Sequence, residues 1–61
     1  MIVDQFSIYG SPTYYVTTVD ATDEERQNLI LNGFAPYRSR RIEDCGDPDF
    51  GKKVVLWEKK A

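Results

Sequence analysis

The feature that most constrains this fold is a short helix in the middle of the chain whose start and end are both signalled. Thr22 and Glu25 have the spacing of a capping box, in which each side chain accepts a hydrogen bond from the other residue's backbone N–H. Gly33 supplies the left-handed residue that follows many helices. The spacing predicts one helix over residues 23–32, so the remaining residues have to form strands and turns.

The predicted helix carries a short apolar face. Leu29, Ile30 and Gly33 share one side of the helix, and Arg26 lies on the same side. Phe34 can close onto Leu29 directly after the helix ends. We therefore expect the helix to pack by this face on one side of a sheet.

Residues before the helix predict a β-hairpin. Ile2, Phe6 and Ile8 alternate with more polar residues, which indicates a strand with one apolar face. Residues 9–12 have turn chemistry, and residues 13–19 are rich in β-branched and aromatic side chains. The second strand is therefore expected to pair with the first.

Residues after the helix predict two further strands. A polar strand is expected over residues 37–42 and a loop over residues 43–51. The last strand, over residues 53–58, is apolar on both faces, which indicates a covered, central position. The predicted fold is α+β with the order ββαββ, one short helix on one face of a small, mainly antiparallel sheet, in a single domain over residues 1–61.

The composition excludes several classes of function. The chain has 61 residues and no histidine, which excludes an imidazole base and a histidine metal site. Its one cysteine, Cys45, cannot form a disulfide within the chain and has no histidine to activate it. No sequence motif for a phosphate loop or a catalytic serine is present. We predict a non-enzymatic protein without a cofactor or a metal.

The same features predict where the protein acts. The first residues lack the basic and apolar regions of a signal peptide, and no apolar run approaches the roughly 20 residues of a membrane span. A lone cysteine suits a reducing compartment. We expect a cytoplasmic protein without a membrane partner.

Aromatic and basic residues occur together on the predicted strands. Tyrosine and arginine are enriched at protein interfaces, and aromatic rings interleaved with basic groups also hold single-stranded nucleic acid. The alternative interpretation is that the arginines pair with acidic residues on either side. Arg38 and Arg40 should share one side of their strand, with Arg41 on the other side. The candidate partner-binding residues of this kind are Tyr14, Tyr15, Tyr37, Arg38, Arg40 and Arg41.

The predicted loop is acidic. Asp44, Asp47 and Asp49 lie close together there with Glu43, and such a cluster could attract a hard cation or a basic surface of another protein. The cluster does not match an EF-hand, and Asp, Gly and Pro are also ordinary turn formers. We take the three aspartates as candidate partner-binding residues.

Three functions are compatible with this sequence. The first is a small protein-binding module, an inhibitor or modulator of a host protein complex. In size and net charge (−2) the chain resembles accessory proteins of phages and mobile elements, which implies a blocking role such as anti-restriction or anti-CRISPR activity. The alternative is a single-stranded RNA- or DNA-binding regulator that uses the strand from Arg38 to Arg41 and exposed tyrosines. The third is a small subunit of a larger assembly.

Overall fold

The computed structural model describes residues 1–60 and contains the expected elements. They are β1 (Ile2–Ser7), β2 (Thr13–Val19), α1 (Asp23–Leu31), β3 (Ala35–Arg41) and β4 (Lys53–Lys60). The strands form one antiparallel sheet in the order β1-β2-β4-β3. The predicted α+β fold with the order ββαββ is confirmed, and β4 has the interior position that its apolar residues indicated.

Strand pairing extends the last two strands beyond the predicted ranges. β3 begins at Ala35 rather than at residue 37, because Ala35 and Pro36 pair with Glu58 and Trp57 of β4. β4 continues to Lys60 because its last residues pair with the start of β2. The extra length comes from neighbouring strands and has no local sequence signal.

The helix begins and ends as its capping residues predicted, to within one residue. Thr22 Oγ1 accepts from the Glu25 N–H at 3.1 Å, and the Glu25 carboxylate accepts from the Thr22 N–H at 3.1 Å. This second hydrogen bond lowers the pKa of the Glu25 carboxyl below its ordinary value. Gly33 is left-handed, with φ of +90°, and the Phe34 N–H donates to the Leu29 carbonyl at 2.9 Å.

The helix contacts the sheet through one leucine rather than through an apolar stripe. Leu29 is 7% exposed, whereas Ile30 and Leu31 are exposed to solvent. Successive helical residues are about 100° apart, so a helix touching the sheet along a narrow line buries only Leu29 of these three. The expectation that Ile30 shares the buried face is wrong. Within residues 1–60, no helix has the length and apolar character needed to cross a bilayer.

A β-bulge in β1 places its apolar residues on opposite sides of the sheet. The register shifts between Ile2 and Asp4. Ile2 lies on the side of α1, opposite buried Thr18, whereas Phe6 lies on the other side, opposite Tyr15. The prediction of one shared face for Ile2 and Phe6 is wrong, because it assumed unbroken alternation along the strand.

The core under the helix contains a buried polar pair. The apolar residues of the core come from β2, α1 and β4 and are Val16, Leu29, Val55 and Trp57. Phe34 packs against them. Thr18 is fully buried among them and accepts a hydrogen bond from the Trp57 indole N–H at 3.0 Å. Its hydroxyl donates to the Val55 carbonyl at 3.5 Å. The indole and the hydroxyl therefore satisfy each other inside the core.

We predict that Thr18→Val lowers the free energy of unfolding by about 1–3 kcal/mol, because the methyl group that replaces the hydroxyl leaves a buried indole N–H without an acceptor. Urea denaturation measures the change. In a Trp57→Phe background there is no indole N–H to leave unpaired, so the same substitution should cost clearly less. An equal cost in both backgrounds would contradict the assigned pair.

We predict that Gly33→Ala destabilises the protein by about 1 kcal/mol, because the left-handed conformation is unfavourable for a residue with a Cβ. The new Cβ would lie 3.5 Å from Lys59 Cε, an ordinary contact, so the cost comes from the backbone. Gly46, which does not have a positive φ, provides the matched control, and Gly46→Ala should cost less in thermal melts. Unchanged stability of Gly33→Ala would rule out the assigned helix end.

Candidate functional site

The helix covers one side of the sheet and leaves the other side uncovered. Paired residues share a side, and α1 packs through Leu29 over the middle of the side that carries Val16, Thr18 and Trp57. We call the opposite side the open face. The open face includes Asp4 and Phe6 of β1, Tyr15, Thr17 and Val19 of β2, Ala35, Tyr37, Arg38 and Arg40 of β3, and Val54, Leu56 and Glu58 of β4.

Aromatic side chains form a continuous row across the open face. The Phe6 and Tyr15 ring centroids are 5.1 Å apart and the ring planes differ by 18°. The Tyr37 ring lies 6.5 Å from Tyr15 at 59°, and the Arg38 guanidinium lies 5.5 Å from the Tyr37 centroid. Phe6 and Tyr37 are 41% and 52% exposed. The row therefore presents apolar surface to solvent from one sheet edge to the other.

A bulge in β3 brings Tyr37 into this row. The register shifts between Pro36 and Arg38, so Tyr37 is the extra residue and lies on the same side as Arg38. A regular strand would place these two neighbours on opposite sides. Arg40 also lies on the open face and Arg41 on the side of α1, which confirms the alternation predicted for the arginines.

The structure divides the candidate residues between the two sides of the sheet. Tyr15, Tyr37, Arg38 and Arg40 come together on the open face. Tyr14 lies on the side of α1, in a shallow cleft that it shares with Phe34 and Lys59. Arg41 donates from Nη1 to the Gly51 carbonyl at 3.1 Å, at the base of the acidic loop.

The aspartates of the acidic loop cap the loop's own turns. Asp44 Oδ1 accepts from the Gly46 N–H at 2.9 Å, and Asp47 Oδ1 accepts from the Asp49 N–H at 2.8 Å. Asp49 accepts from Lys52 Nζ at 3.1 Å, and this hydrogen bond raises the pKa of the Lys52 ammonium. The part of the chain that the structure describes has no cluster of three acidic, histidine or cysteine side chains placed to hold a metal ion. The loop lies at the end of β4 remote from the aromatic row.

Phe6 is the functional candidate that the sequence analysis missed. It was assigned to the face of Ile2, which the bulge in β1 contradicts. A signal was available, since pairing the first two strands around their turn brings Phe6 and Tyr15 to opposite positions.

The geometry of the row limits what can bind to Tyr15. Two rings with centroids only 5.1 Å apart and nearly parallel planes have to overlap face to face, because coplanar rings at this distance would collide. Phe6 thus covers one face of the Tyr15 ring, and the Tyr37 ring lies nearby at a steep angle to it. One face of Tyr15 is therefore unavailable to a flat ligand.

Comparison with protein-family models, curated proteins and solved structures found no match for this chain. A functional assignment therefore depends on the geometry of the open face.

Proposed function

We propose that the protein is a non-enzymatic protein-binding module whose interface is the open face. The observation that carries the proposal is the uncovered row of Phe6, Tyr15 and Tyr37 with Arg38 at its end. Tyrosine and arginine dominate interface hot spots, because they bury a large area and add a polar contact. The rings are already packed on one another, so little side-chain entropy is lost when a partner covers them.

The proposed role is to inhibit or modulate a larger host protein complex in the cytoplasm, as the resemblance to phage and mobile-element accessory proteins implies. A domain of 61 residues can act by covering a functional surface of a larger partner without chemistry of its own. The exposed, free thiol of Cys45 supports a reducing compartment for this activity.

Single-stranded RNA or DNA is the alternative partner, favoured by Arg38 and Arg40 beside exposed rings. Two observations weigh against it. Phe6 already stacks on one face of Tyr15, so a base cannot stack there. Glu58 lies opposite Tyr15 in the middle of the open face, where its carboxylate would repel phosphates.

We propose that the acidic loop contributes by attraction at a distance. Backbone N–H groups that donate to Asp44 and Asp47 do not compensate their charges, whereas Asp49 is paired with Lys52. The loop can therefore steer a basic partner mainly through Asp44 and Asp47. This contribution affects the rate of association more than the lifetime of the complex.

We predict that Tyr37→Ala and Arg38→Ala each reduce capture of the partner about tenfold or more, because each removes an exposed side chain of a type that dominates interface hot spots. Tagged wild-type and variant proteins would be incubated with host lysate and the captured proteins quantified by mass spectrometry. Tyr14→Ala is the matched control, since Tyr14 is similarly exposed but lies on the other side of the sheet. Circular dichroism would verify that each variant is folded.

Two outcomes would contradict this assignment. Loss of the captured protein with Tyr14→Ala but not with Tyr37→Ala would place the interface on the side of α1. Binding of short single-stranded RNA or DNA in mobility-shift assays, weakened by added salt and by Arg38→Ala or Arg40→Ala, would instead support the nucleic-acid alternative.

With the captured partner in hand, Asp44→Asn tests the steering role of the loop. Asparagine keeps an oxygen to accept from the Gly46 N–H but removes the charge, so we expect slower association, a smaller salt effect on the association rate and an unchanged dissociation rate. Stopped-flow or surface-binding kinetics measure these rates. An unchanged association rate would show that the acidic loop only connects β3 to β4 and does not steer the partner.

A further inference from the structure

The open face has a charge pattern that is complementary to itself. The strand register places Asp4, Thr17, Leu56 and Arg38 opposite one another in one row across the sheet. The row has a negative charge on β1 at one edge of the sheet and a positive charge on β3 at the other edge. A second copy, turned by a two-fold axis parallel to the strands, would bring its β3 over β1 of the first copy.

We propose that two copies of the chain associate through their open faces, with Asp4 of each copy paired with Arg38 of the other. A two-fold interface repeats every contact, so the ion pair forms twice. Between these pairs, Thr17 of each copy lies over Leu56 of the other. Within this row, uncharged residues thus meet in the middle and opposite charges meet at the rim, as in many specific interfaces.

The next row of the open face supports the same arrangement. Phe6, Tyr15, Glu58 and Ala35 lie opposite one another across the sheet. The same two-fold axis brings the Tyr15 hydroxyl over Glu58 of the other copy, where it can donate to the carboxylate. It also brings Phe6 over Ala35 and next to Tyr37 of the other copy, so aromatic rings of the two copies can pack together. Both rows are therefore complementary under one symmetry operation, the first in charge and the second in hydrogen bonding and aromatic packing.

Both charged side chains are held in place before association. Asp4 Oδ1 accepts from the Gln5 N–H at 2.9 Å, and the Arg38 guanidinium lies over the Tyr37 ring. No ion pair with another described residue engages Arg38. Ordering these groups on binding thus costs little entropy, and the guanidinium can meet a carboxylate of the second copy.

The size of the open face sets the expected strength. Four strands about 4.8 Å apart, each contributing about six residues at about 3.3 Å, give a face of roughly 20 by 20 Å. Two such faces bury on the order of 1,000 Å², close to the lower limit for a specific interface. We therefore expect a reversible dimer with a dissociation constant of roughly 1–100 μM.

Self-association would also regulate the open face. The dimer covers the surface that we propose for the host partner, so a partner can bind only to the monomer and has to compete with the second copy. This regulation rests on the proposed function, whereas the dimer itself does not.

Charge exchange between the two edge strands tests the proposal. Asp4→Arg brings two arginines together at both rims, and Arg38→Asp brings two aspartates together there, so each single variant should dimerise about tenfold or more weakly. The double variant Asp4→Arg/Arg38→Asp restores opposite charges and should return to within about threefold of the wild type. An equimolar mixture of the two single variants should form heterodimers in preference to either homodimer. Opposite charges meet at both rims of the heterodimer, whereas like charges meet at both rims of each homodimer.

Sedimentation equilibrium and native mass spectrometry over micromolar to millimolar protein measure these states. Arg41→Asp is the matched control, since it makes the same charge change on β3 but on the side of α1, and it should leave dimerisation unchanged. Circular dichroism and thermal melts would confirm that all variants are folded.

Three outcomes would overturn the proposal: a monomer at every concentration, a dimer insensitive to both single substitutions, or weakening by the single substitutions without rescue in the double variant. A monomeric wild type that still captures a host protein through Tyr37 would overturn only the dimer and leave the proposed function intact. A wild type that forms the dimer but captures no host protein would overturn only the proposed function and leave the dimer intact.

Discussion

The hydrogen bond between the Trp57 indole and the Thr18 hydroxyl ties together the two interior strands on which the other elements depend. Both residues are almost completely buried, at 3% and 0% exposure, and each satisfies the other's polar group. Among residues 1–60, no buried side-chain nitrogen or oxygen lacks a partner. With only Leu29 of the helix fully inserted, the core is small, so the pairing of β2 with β4 fixes where the helix can rest.

Because the helix occupies one side of the sheet, the opposite side is where the chain can offer an extended surface. An antiparallel sheet with one solvated face usually alternates apolar and polar residues, with the polar residues outward. Here the outward positions include Tyr15 and Leu56, which are half-buried, and the rings of Phe6 and Tyr37, which are exposed. Their exposure is better explained by an interface than by the stability of the isolated chain, because burying them requires a second molecule.

Local signals predicted the elements but not the membership of the open face. The capping box of Thr22 and Glu25 and the left-handed Gly33 involve neighbouring residues only, so the helix could be located from the sequence. The bulges that direct Phe6 and Tyr37 to the open face depend on how strands pair, which alternation along one strand does not report. Tyr15, Tyr37, Arg38 and Arg40 were predicted as candidates from their residue types alone, which did not distinguish them from Tyr14 and Arg41 on the other side of the sheet.

The two bulges also bear on how any partner can attach. An edge strand with free N–H and C=O groups invites another strand to pair with it, and a bulge or a proline interrupts that pairing. β3 has Pro36, which lacks an N–H, followed directly by its bulge and by Arg38. β1 is bulged before Asp4, whose side chain accepts from the next backbone N–H. Strand addition is therefore disfavoured at both edges of the sheet. The same two bulges place Phe6 and Tyr37 on the open face. Together these effects favour association through the face of the sheet over association through its edges.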